Sequence, residues 1–122
     1  MSTRKGRKIS GGKYIQNRKK KKYELKGQKI NVKLGDDKRK NYRTMGGNQK
    51  IKMLRAKTIN VKVSEKQIKK AEIQNVLETP SNRFLARQNI LTKGTIVLTN
   101  LGKVRITNRP TQDGVLNGTI IS

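Results

Sequence analysis

The net charge of this chain constrains its folding more than any other feature. Its 122 residues include 31 Lys and Arg against 7 Asp and Glu, a formal charge of +24 at pH 7. Soluble domains of this size usually carry a net charge of magnitude about 2 to 8, and the excess destabilises an isolated compact state by self-repulsion. The composition therefore calls for a polyanionic partner, and nucleic acid is the default.

The amino-acid composition excludes most enzyme chemistry. The chain has no His and no Cys, so it lacks Ser-His and Cys-His pairs, thiolate nucleophiles, disulfides and the usual zinc sites. We expect no catalytic residue, metal, cofactor or small-molecule substrate. The uncharged stretches are far shorter than the roughly 20 apolar residues of a membrane span, and no apolar run follows the basic N-terminus. We therefore expect an intracellular protein with no membrane partner.

Charge is distributed unevenly along the chain. Residues 1–27 hold 11 Lys and Arg and a single acid, Glu24, whereas residues 28–122 hold 20 Lys and Arg and six acids. The few apolar residues of 1–27 fit neither helical nor strand periodicity, so this segment cannot bury enough surface to offset its ordering entropy. We predict that residues 1–27 form a basic arm that is disordered or extended in the free protein.

Strand patterns begin at residue 28. Apolar and polar residues alternate over Gln28–Leu34, which predicts a strand with one buried face. A turn signal at Gly46-Gly47-Asn48 separates Arg39–Met45 from an alternating run at Ile51–Met53 and predicts a hairpin. Leu54 and the residues after it fall out of phase, which predicts a bulge or a corner.

The centre of the chain gives weaker signals. Ile59–Val63 alternates as a strand does. Ser64 with Gln67 fits a capping box, so a short helix or a turn is expected before a strand at Ile73–Leu77. Ser81 is the expected cap of one or two helical turns that carry Phe84 and Leu85 inward.

The clearest element lies near the end of the chain. Thr95–Thr99 and Lys103–Thr107 predict a hairpin with a three-residue loop at Asn100–Gly102. In that register the residues facing the core are Ile96, Leu98, Val104 and Ile106. A loop at Pro110–Gly118 and a terminal strand at Ile120-Ile121 follow. The chain is thus predicted to be all-β, with about six short strands in a small barrel-like domain over residues 28–122.

The segment Gly6–Lys13 has the glycines and lysine of a nucleotide-binding P-loop but departs from its pattern. The spacing of Gly11, Gly12 and Lys13 differs from that of a P-loop, Tyr14 stands where Ser or Thr should bind magnesium, and no strand precedes it. Glycines in a basic arm more simply bend the chain or let the backbone approach a phosphate.

The adjacent carboxylates Asp36 and Asp37 do not suit hydrolysis. Neighbouring residues of an extended chain point to opposite sides, so two-carboxylate chemistry has no geometry to use. A solvated turn is the simpler interpretation, and a magnesium ion bridging one carboxylate to a phosphate is the alternative.

The run Arg18–Lys22 is the densest cluster of charge. A solvated tail, a targeting signal and a phosphate-neutralising strip all fit such a run, and an anionic membrane would attract it too. The arm has no amphipathic face, and release of counterions from phosphates relieves the repulsion among these residues. With only four aromatic residues in the chain, recognition of RNA backbone and shape is expected rather than base stacking.

Four blocks of sequence follow one another in the order and spacing of a known family. They are Gly6-Arg7-Lys8 with Ser10-Gly11-Gly12 and Arg18–Leu25; Leu34-Gly35, Arg43 and Gly46-Gly47-Asn48 with Lys50 and Leu54-Arg55; Ser81-Asn82, Leu85, Arg87 and Asn89 with Leu91–Gly94; and Arg109-Pro110, Gln112–Gly114 and Asn117-Gly118. This pattern resembles the S8e family of small-subunit ribosomal proteins of archaea and eukaryotes. The short join from Leu98 to Val104 is similar to the archaeal form.

The resemblance implies a structural constituent of the small ribosomal subunit that supports assembly and translation without catalysis. It implies a β-barrel-like domain with a basic arm, located in the cytoplasm within the ribosome. The implied partners are small-subunit ribosomal RNA and other small-subunit ribosomal proteins. Two other functions fit the composition: a ribosome assembly factor of similar fold and a free general RNA chaperone.

The RNA-facing residues that follow from the arm and from the resemblance form one set. They are Arg4, Lys5, Arg7, Lys8, Lys13, Arg18, Lys19, Lys20, Lys21, Lys22, Arg43, Gly46, Gly47, Asn48, Lys50, Lys52, Arg55, Arg87, Lys93 and Arg109. Two positions depart from the family pattern, where Met45 replaces the usual Arg and Thr111 replaces the usual Gly. The Gly-Gly-Asn block is either a plain hairpin turn or a turn that also binds phosphate through its backbone N–H groups.

Overall fold

The computed structural model describes residues 6–15 and 18–121. Within these ranges the chain forms nine strands and two short helices. Their bounds are β1 (Val32–Leu34), β2 (Lys38–Arg43), β3 (Gln49–Ala56), β4 (Thr58–Ser64), β5 (Gln67–Glu78), α1 (Arg83–Arg87), β6 (Ile90–Leu91), β7 (Ile96–Thr99), β8 (Gly102–Ile106), α2 (Pro110–Asp113) and β9 (Asn117–Ile120). The predicted all-β barrel-like fold is confirmed. The strands outnumber the six expected partly because β6 has only two residues and β2 has no apolar alternation.

The strands form two sheets. A four-stranded sheet has the order β2-β3-β1-β6, and the remaining five strands close into a barrel in the order β4-β5-β7-β8-β9. Parallel pairing of β9 with β4 closes the barrel. The chain crosses from the sheet to the barrel at Lys57, between β3 and β4. This crossing is the corner that the out-of-phase residues after Met53 predicted.

The sheet and the barrel share one apolar core. Val32 and Met53 of the sheet pack in the same cluster as Ile59, Val97 and Val104 of the barrel, and all five side chains are buried. Burial of this apolar surface is the main force that holds the two sheets together. Among the described residues, no helix is long and apolar enough to cross a membrane.

The hairpin of β7 and β8 is confirmed, but its predicted register is wrong by one residue. Thr99 pairs with Gly102 and Val97 pairs with Val104, so the loop has two residues rather than three. A one-residue shift exchanges the two faces of a strand. Val97 is therefore buried with Val104 and Ile106, whereas Ile96 and Leu98 are only half-buried.

The two predictions of helix or turn at the centre of the chain have different outcomes. Of the helix or turn expected after Ser64, the structure has the turn, formed by Glu65 and Lys66 between β4 and β5; Ser64 therefore ends a strand and caps no helix. The short helix α1 exists, but Asn82 rather than Ser81 caps it, with its Oδ1 accepting a hydrogen bond from the Phe84 N–H at 3.0 Å. Phe84 is 67% exposed, because a helix of five residues presents only part of its surface to the core.

The C-terminal region is more ordered than predicted. The expected loop at 110–118 contains α2, which begins with Pro110 at its first position and ends at Gly114 in a left-handed conformation. The last strand covers Asn117–Ile120, so it begins three residues before the predicted Ile120. An Asn-Gly pair signals turns rather than strands, which explains why this start was missed.

Candidate nucleic-acid interface

The described part of the arm makes local hydrogen bonds and stays exposed. Arg7 bridges to Lys13 in a small turn, in which Arg7 Nη1 donates to the Gly11 carbonyl at 2.9 Å. Arg18 forms a bidentate ion pair with Glu24, in which Nη1 donates to Oε2 at 2.8 Å and Nη2 donates to Oε1 at 2.7 Å. The hydrogen bond from Arg18 holds the pKa of Glu24 below its ordinary value and raises the pKa of Arg18.

The predicted arm residues fall into two groups. Arg7, Lys8 and Lys13 belong to the first turn, and Arg18–Lys22 runs into a short 3-10 turn at Lys22–Glu24; all of these cations are exposed. Arg4 and Lys5 lie outside the described residues. None of these predicted RNA contacts is tested by the geometry of the arm.

The Gly-Gly-Asn block forms the tip of the hairpin between β2 and β3. Gly46 and Gly47 have φ angles of +82° and +80°, a backbone conformation that residues with a Cβ rarely adopt. The turn is closed by Thr44, whose N–H and hydroxyl both donate to the Asn48 carbonyl at 2.7 and 2.9 Å. The predicted turn is confirmed, and phosphate binding at the tip stays a prediction.

Six cations share one face of the four-stranded sheet. Lys38, Lys40 and Tyr42 alternate along β2 and therefore project from one side. Cross-strand partners project from the same side, so the partners of these residues on β3 and β1 belong to the same surface. We call this surface the cationic face. It consists of six cations and one tyrosine: Lys33, Lys38, Lys40, Tyr42, Lys50, Lys52 and Arg55.

A β-bulge allows this arrangement. The register shifts between Lys38, which pairs with Arg55, and Arg39, which pairs with Met53. Leu54 is the extra residue on β3. Residues three apart usually lie on opposite faces of a strand, but the bulge puts Lys52 and Arg55 on the outer face while Met53 stays in the core.

Like charges lie directly opposite each other on the cationic face. Lys40 pairs with Lys52, and Arg55 is flanked by Lys38 on β2 and Lys33 on β1. Opposed like charges destabilise a sheet. Within the described residues the only ion pair is Arg18 with Glu24, far along the chain in the arm. The cationic face is thus electrostatically complementary to an external anion.

Tyr42 organises two of these lysines. The ammonium group of Lys52 lies 4.6 Å from the centre of the Tyr42 ring, and that of Lys40 lies 5.4 Å away. Cation–π attraction of this kind offsets part of the repulsion between the two lysines. The ring therefore helps to hold the two charges in place.

A groove continues the cationic face beyond the edge of β3. It has a volume of about 300 Å³, and its lining includes Lys52, Lys93 and Arg109. The helix α2 forms one wall and packs on β3, where Lys50 Nζ donates to Gln112 Oε1. Three residues predicted from distant parts of the sequence are therefore brought together in one concave site.

Asp37 has a structural role instead of a solvated one. Its Oδ1 accepts from the Lys57 N–H at 2.7 Å, and its Oδ2 accepts from the Thr58 hydroxyl at 2.9 Å. Burial opposes its ionisation, but these hydrogen bonds outweigh burial and lower its pKa. Asp37 thus fixes the corner between sheet and barrel. In the described part of the chain no three acidic groups are close enough together to hold a metal ion.

Not every predicted residue joins the cationic face. Arg43 alternates onto the opposite side of β2, and Arg87 is exposed at the end of α1 and does not line the groove. Conversely, the sequence prediction omitted Lys33, Lys38 and Lys40. The alternation of Lys38, Lys40 and Tyr42 is the sequence signal for this face, but it lacks the apolar alternation by which half-buried strands are identified.

Comparison with known proteins agrees with this geometry. A family model described as Ribosomal protein S8e matches residues 1–121. The chain is 48% identical over 119 residues to the "Small ribosomal subunit protein eS8" of Nanoarchaeum equitans, covering 97% of this chain and 94% of the relative. It is 48% identical over 117 residues to the protein of that name from Staphylothermus marinus, covering 94% and 91%. The corresponding protein of Methanosarcina barkeri is 40% identical over 116 residues, covering 94% and 93%. The chain therefore belongs to the ribosomal protein S8e family.

Proposed function

We propose that this protein is a structural constituent of the small ribosomal subunit that binds ribosomal RNA through phosphate and shape contacts. The observation that carries the proposal is the cationic face, where six Lys and Arg side chains share one side of a sheet in a register that opposes like charges. The names of the relatives, which describe small ribosomal subunit proteins, support the same function. Its role is structural and not catalytic, in the cytoplasmic ribosome.

The contact with RNA has two parts. Residues 28–122 act as one folded body whose cationic face contacts phosphates, and residues 1–27 act as an arm that becomes ordered as it threads between RNA helices. Both parts neutralise phosphates that would otherwise keep RNA helices apart. Other small-subunit ribosomal proteins are the expected neighbours of the remaining surface.

The arm is tested by neutralising its densest charges. Replacing Arg18 and Lys19–Lys22 by Gln should leave thermal unfolding of the body unchanged and weaken binding to small-subunit ribosomal RNA. Each lost phosphate contact should flatten the slope of log affinity against log salt by roughly 0.7 to 0.9. An unchanged slope would show that the arm makes no phosphate contacts.

The function as a whole is tested by sedimentation of a native lysate. A sucrose gradient at high salt, analysed by mass spectrometry, should find the chain on mature small subunits in about the same number as other subunit proteins, since rising salt removes loosely bound polycations. Recovery only on immature particles would favour an assembly factor. Recovery only at the top of the gradient would favour a free RNA chaperone, and either result would overturn the proposal.

A further inference from the structure

We infer that the groove beside β3 is a receptor for one unpaired, extruded nucleotide of the RNA, with its base inside the groove and its phosphate held by Lys52, Lys93 and Arg109. This inference rests on the proposed function and adds a specific site to it. Four features of the groove support it: shape, charge, polar lining and rigidity.

The shape of the groove suits a single nucleotide. Its volume of about 300 Å³ lies at the lower end of the ~300–1,000 Å³ typical of pockets for small ligands. Leu91 and Pro110 are buried and, with Ile30, give it an apolar lining. A duplex has no group of this size to insert, whereas an unpaired base has an apolar face to bury there.

The charge of the groove suits a phosphate. Among the residues that the structure describes, Lys29, Lys52, Lys93 and Arg109 line it, and no acidic residue does. Another groove of similar volume, about 270 Å³ on the barrel, has Lys62 as the one charged residue in the described part of its lining. The two grooves therefore differ fourfold in cations at nearly equal size, and only the first is complementary to an anion.

Polar side chains beside the apolar lining suit recognition of a base. Gln28 and Asn31 belong to the lining, and an amide side chain both donates and accepts hydrogen bonds. Gln112 also lines the groove, but its Oε1 already accepts from Lys50 Nζ, so it offers chiefly its Nε2 donor. Unpaired bases in RNA are recognised by this type of group on their hydrogen-bonding edges. A site for phosphate alone would need cations and donors but no such acceptors.

The segment that carries Lys93 is rigid. Thr95 Oγ1 accepts from the Thr92 N–H at 3.2 Å and lies 3.4 Å from Thr79 Oγ1 in the core. Next to Lys93, the Gly94 N–H donates to the Ile106 carbonyl at 2.8 Å. These hydrogen bonds fix the backbone on both sides of Lys93 without using its ammonium group.

The segment that carries Arg109 is equally fixed. The Arg109 N–H donates to Asp113 Oδ2 at 3.0 Å, and Asn108 Nδ2 donates to the Val115 carbonyl at 2.8 Å. Gly114 allows α2 to pack tightly, since a Cβ there would lie 3.0 Å from Ile51 Cγ2. A site whose walls are set before binding loses less entropy when it binds its ligand.

The test is an NMR titration of the full-length protein with four probes at constant ionic strength. The probes are of four kinds: a mononucleotide (adenosine or uridine 5′-monophosphate), inorganic phosphate, a single-stranded RNA tetranucleotide and an RNA duplex. We expect saturable shifts of the Leu91, Thr92 and Thr111 amides with the mononucleotides and the tetranucleotide, and much smaller shifts at these amides with inorganic phosphate or the duplex, which have no unpaired base to insert. The tetranucleotide should bind more tightly than a mononucleotide, which identifies RNA rather than a free nucleotide as the ligand.

Matched variants assign the site. Arg109→Gln and Lys93→Gln should each weaken tetranucleotide binding about tenfold, the lower end of the range for hydrogen bonds to charged groups. The controls Arg105→Gln and Lys103→Gln change exposed residues of β8 that do not line the groove and should leave binding unchanged. Both groove variants keep the backbone hydrogen bonds of the native segment, so they should fold.

Three results would overturn the inference. Shifts with inorganic phosphate equal to those with nucleotides would mean that the groove is a general anion site. Tighter binding of mononucleotides than of the tetranucleotide would mean that its ligand is a free nucleotide. Equal effects of the groove and control variants would mean that the groove is not the binding site. In each case binding of ribosomal RNA by the cationic face would persist if the proposed function is right. If the native protein did not bind small-subunit ribosomal RNA at all, the proposed function itself would be wrong.

Discussion

The four-stranded sheet and the closed barrel differ in their charge and in their share of the apolar core. Residues 28–57, which include β1–β3, carry ten Lys and Arg and two acids, whereas residues 58–122 carry ten and four over more than twice the length. Most of the apolar core comes instead from the barrel strands, through Ile59, Val61, Ala71, Ile73, Val76, Val97, Val104 and Ile106. The barrel thus supplies most of the apolar core, and it supports a charged sheet whose opposed cations destabilise it in the absence of an anionic partner.

The largest loss of stability is expected at the seam of the barrel, where β9 pairs with β4 and β8. A Cβ at Gly118 would lie 2.5 Å from Val104 Cγ1 and 2.8 Å from the Arg105 carbonyl oxygen. Gly118→Ala should therefore destabilise the protein by about 3 kcal/mol, the upper part of the usual range for overpacking. Thermal unfolding measures the loss. Gly27→Ala is the control because a Cβ there meets nothing within 4 Å; equal melting temperatures for both variants would contradict close packing at the seam.

Removing charge from the sheet should have the opposite signature. Lys40→Gln with Lys52→Gln removes two opposed like charges, so stability should stay the same or rise slightly. Affinity for small-subunit ribosomal RNA should fall by about 2 kcal/mol, and the salt slope should flatten by about 1.4 to 1.8. Binding titrations at several salt concentrations measure both quantities.

The matched control for that variant lies on the barrel. Lys66→Gln with Lys69→Gln removes the same charge from exposed positions of the β4–β5 hairpin. If RNA recognition belongs to the sheet, this variant should bind nearly as the native protein does. An equal loss of affinity in the two double variants would mean that only net charge matters and that the two regions do not differ in function.

The corner between the two regions should make a smaller, pH-dependent contribution. The hydrogen bonds from Lys57 and Thr58 lower the pKa of Asp37 from its ordinary 3.8. The stabilisation is therefore present at pH values above 3.8 and is lost as the pH falls through the lowered value. Asp37→Asn should cost about 1 kcal/mol at pH 7 and flatten the decline of stability in acid. If stability fell with decreasing pH equally in the variant and the native protein, Asp37 would not stabilise the corner.

The barrel could be predicted from sequence in outline and not in register. Apolar alternation located the hairpin of β7 and β8, because this pattern depends only on which side of a strand is buried. The choice between a two-residue and a three-residue loop decided whether Leu98 or Val97 entered the core, and Gly102 fits both loops. Pairing across the sheet, which the local sequence does not contain, selects Val97.

The cationic face could be predicted only in part, for a different reason. Lys50, Lys52 and Arg55 were predicted as RNA-facing residues, but regular alternation would put Lys52 and Arg55 on opposite sides of β3. The bulge at Leu54 unites them, and the fold brings Lys93 and Arg109 to the same edge from more than 35 residues away in sequence. Local charge patterns do not encode such long-range neighbours.

The most direct test of the division between sheet and barrel is chemical modification of lysines by acetic anhydride, read by mass spectrometry in free protein and in its complex with small-subunit ribosomal RNA. The division predicts that RNA protects Lys38, Lys40 and Lys52 of the sheet while Lys62, Lys66, Lys69 and Lys103 of the barrel react as they do in free protein. Protection of the barrel lysines with continued modification of the sheet lysines would contradict it.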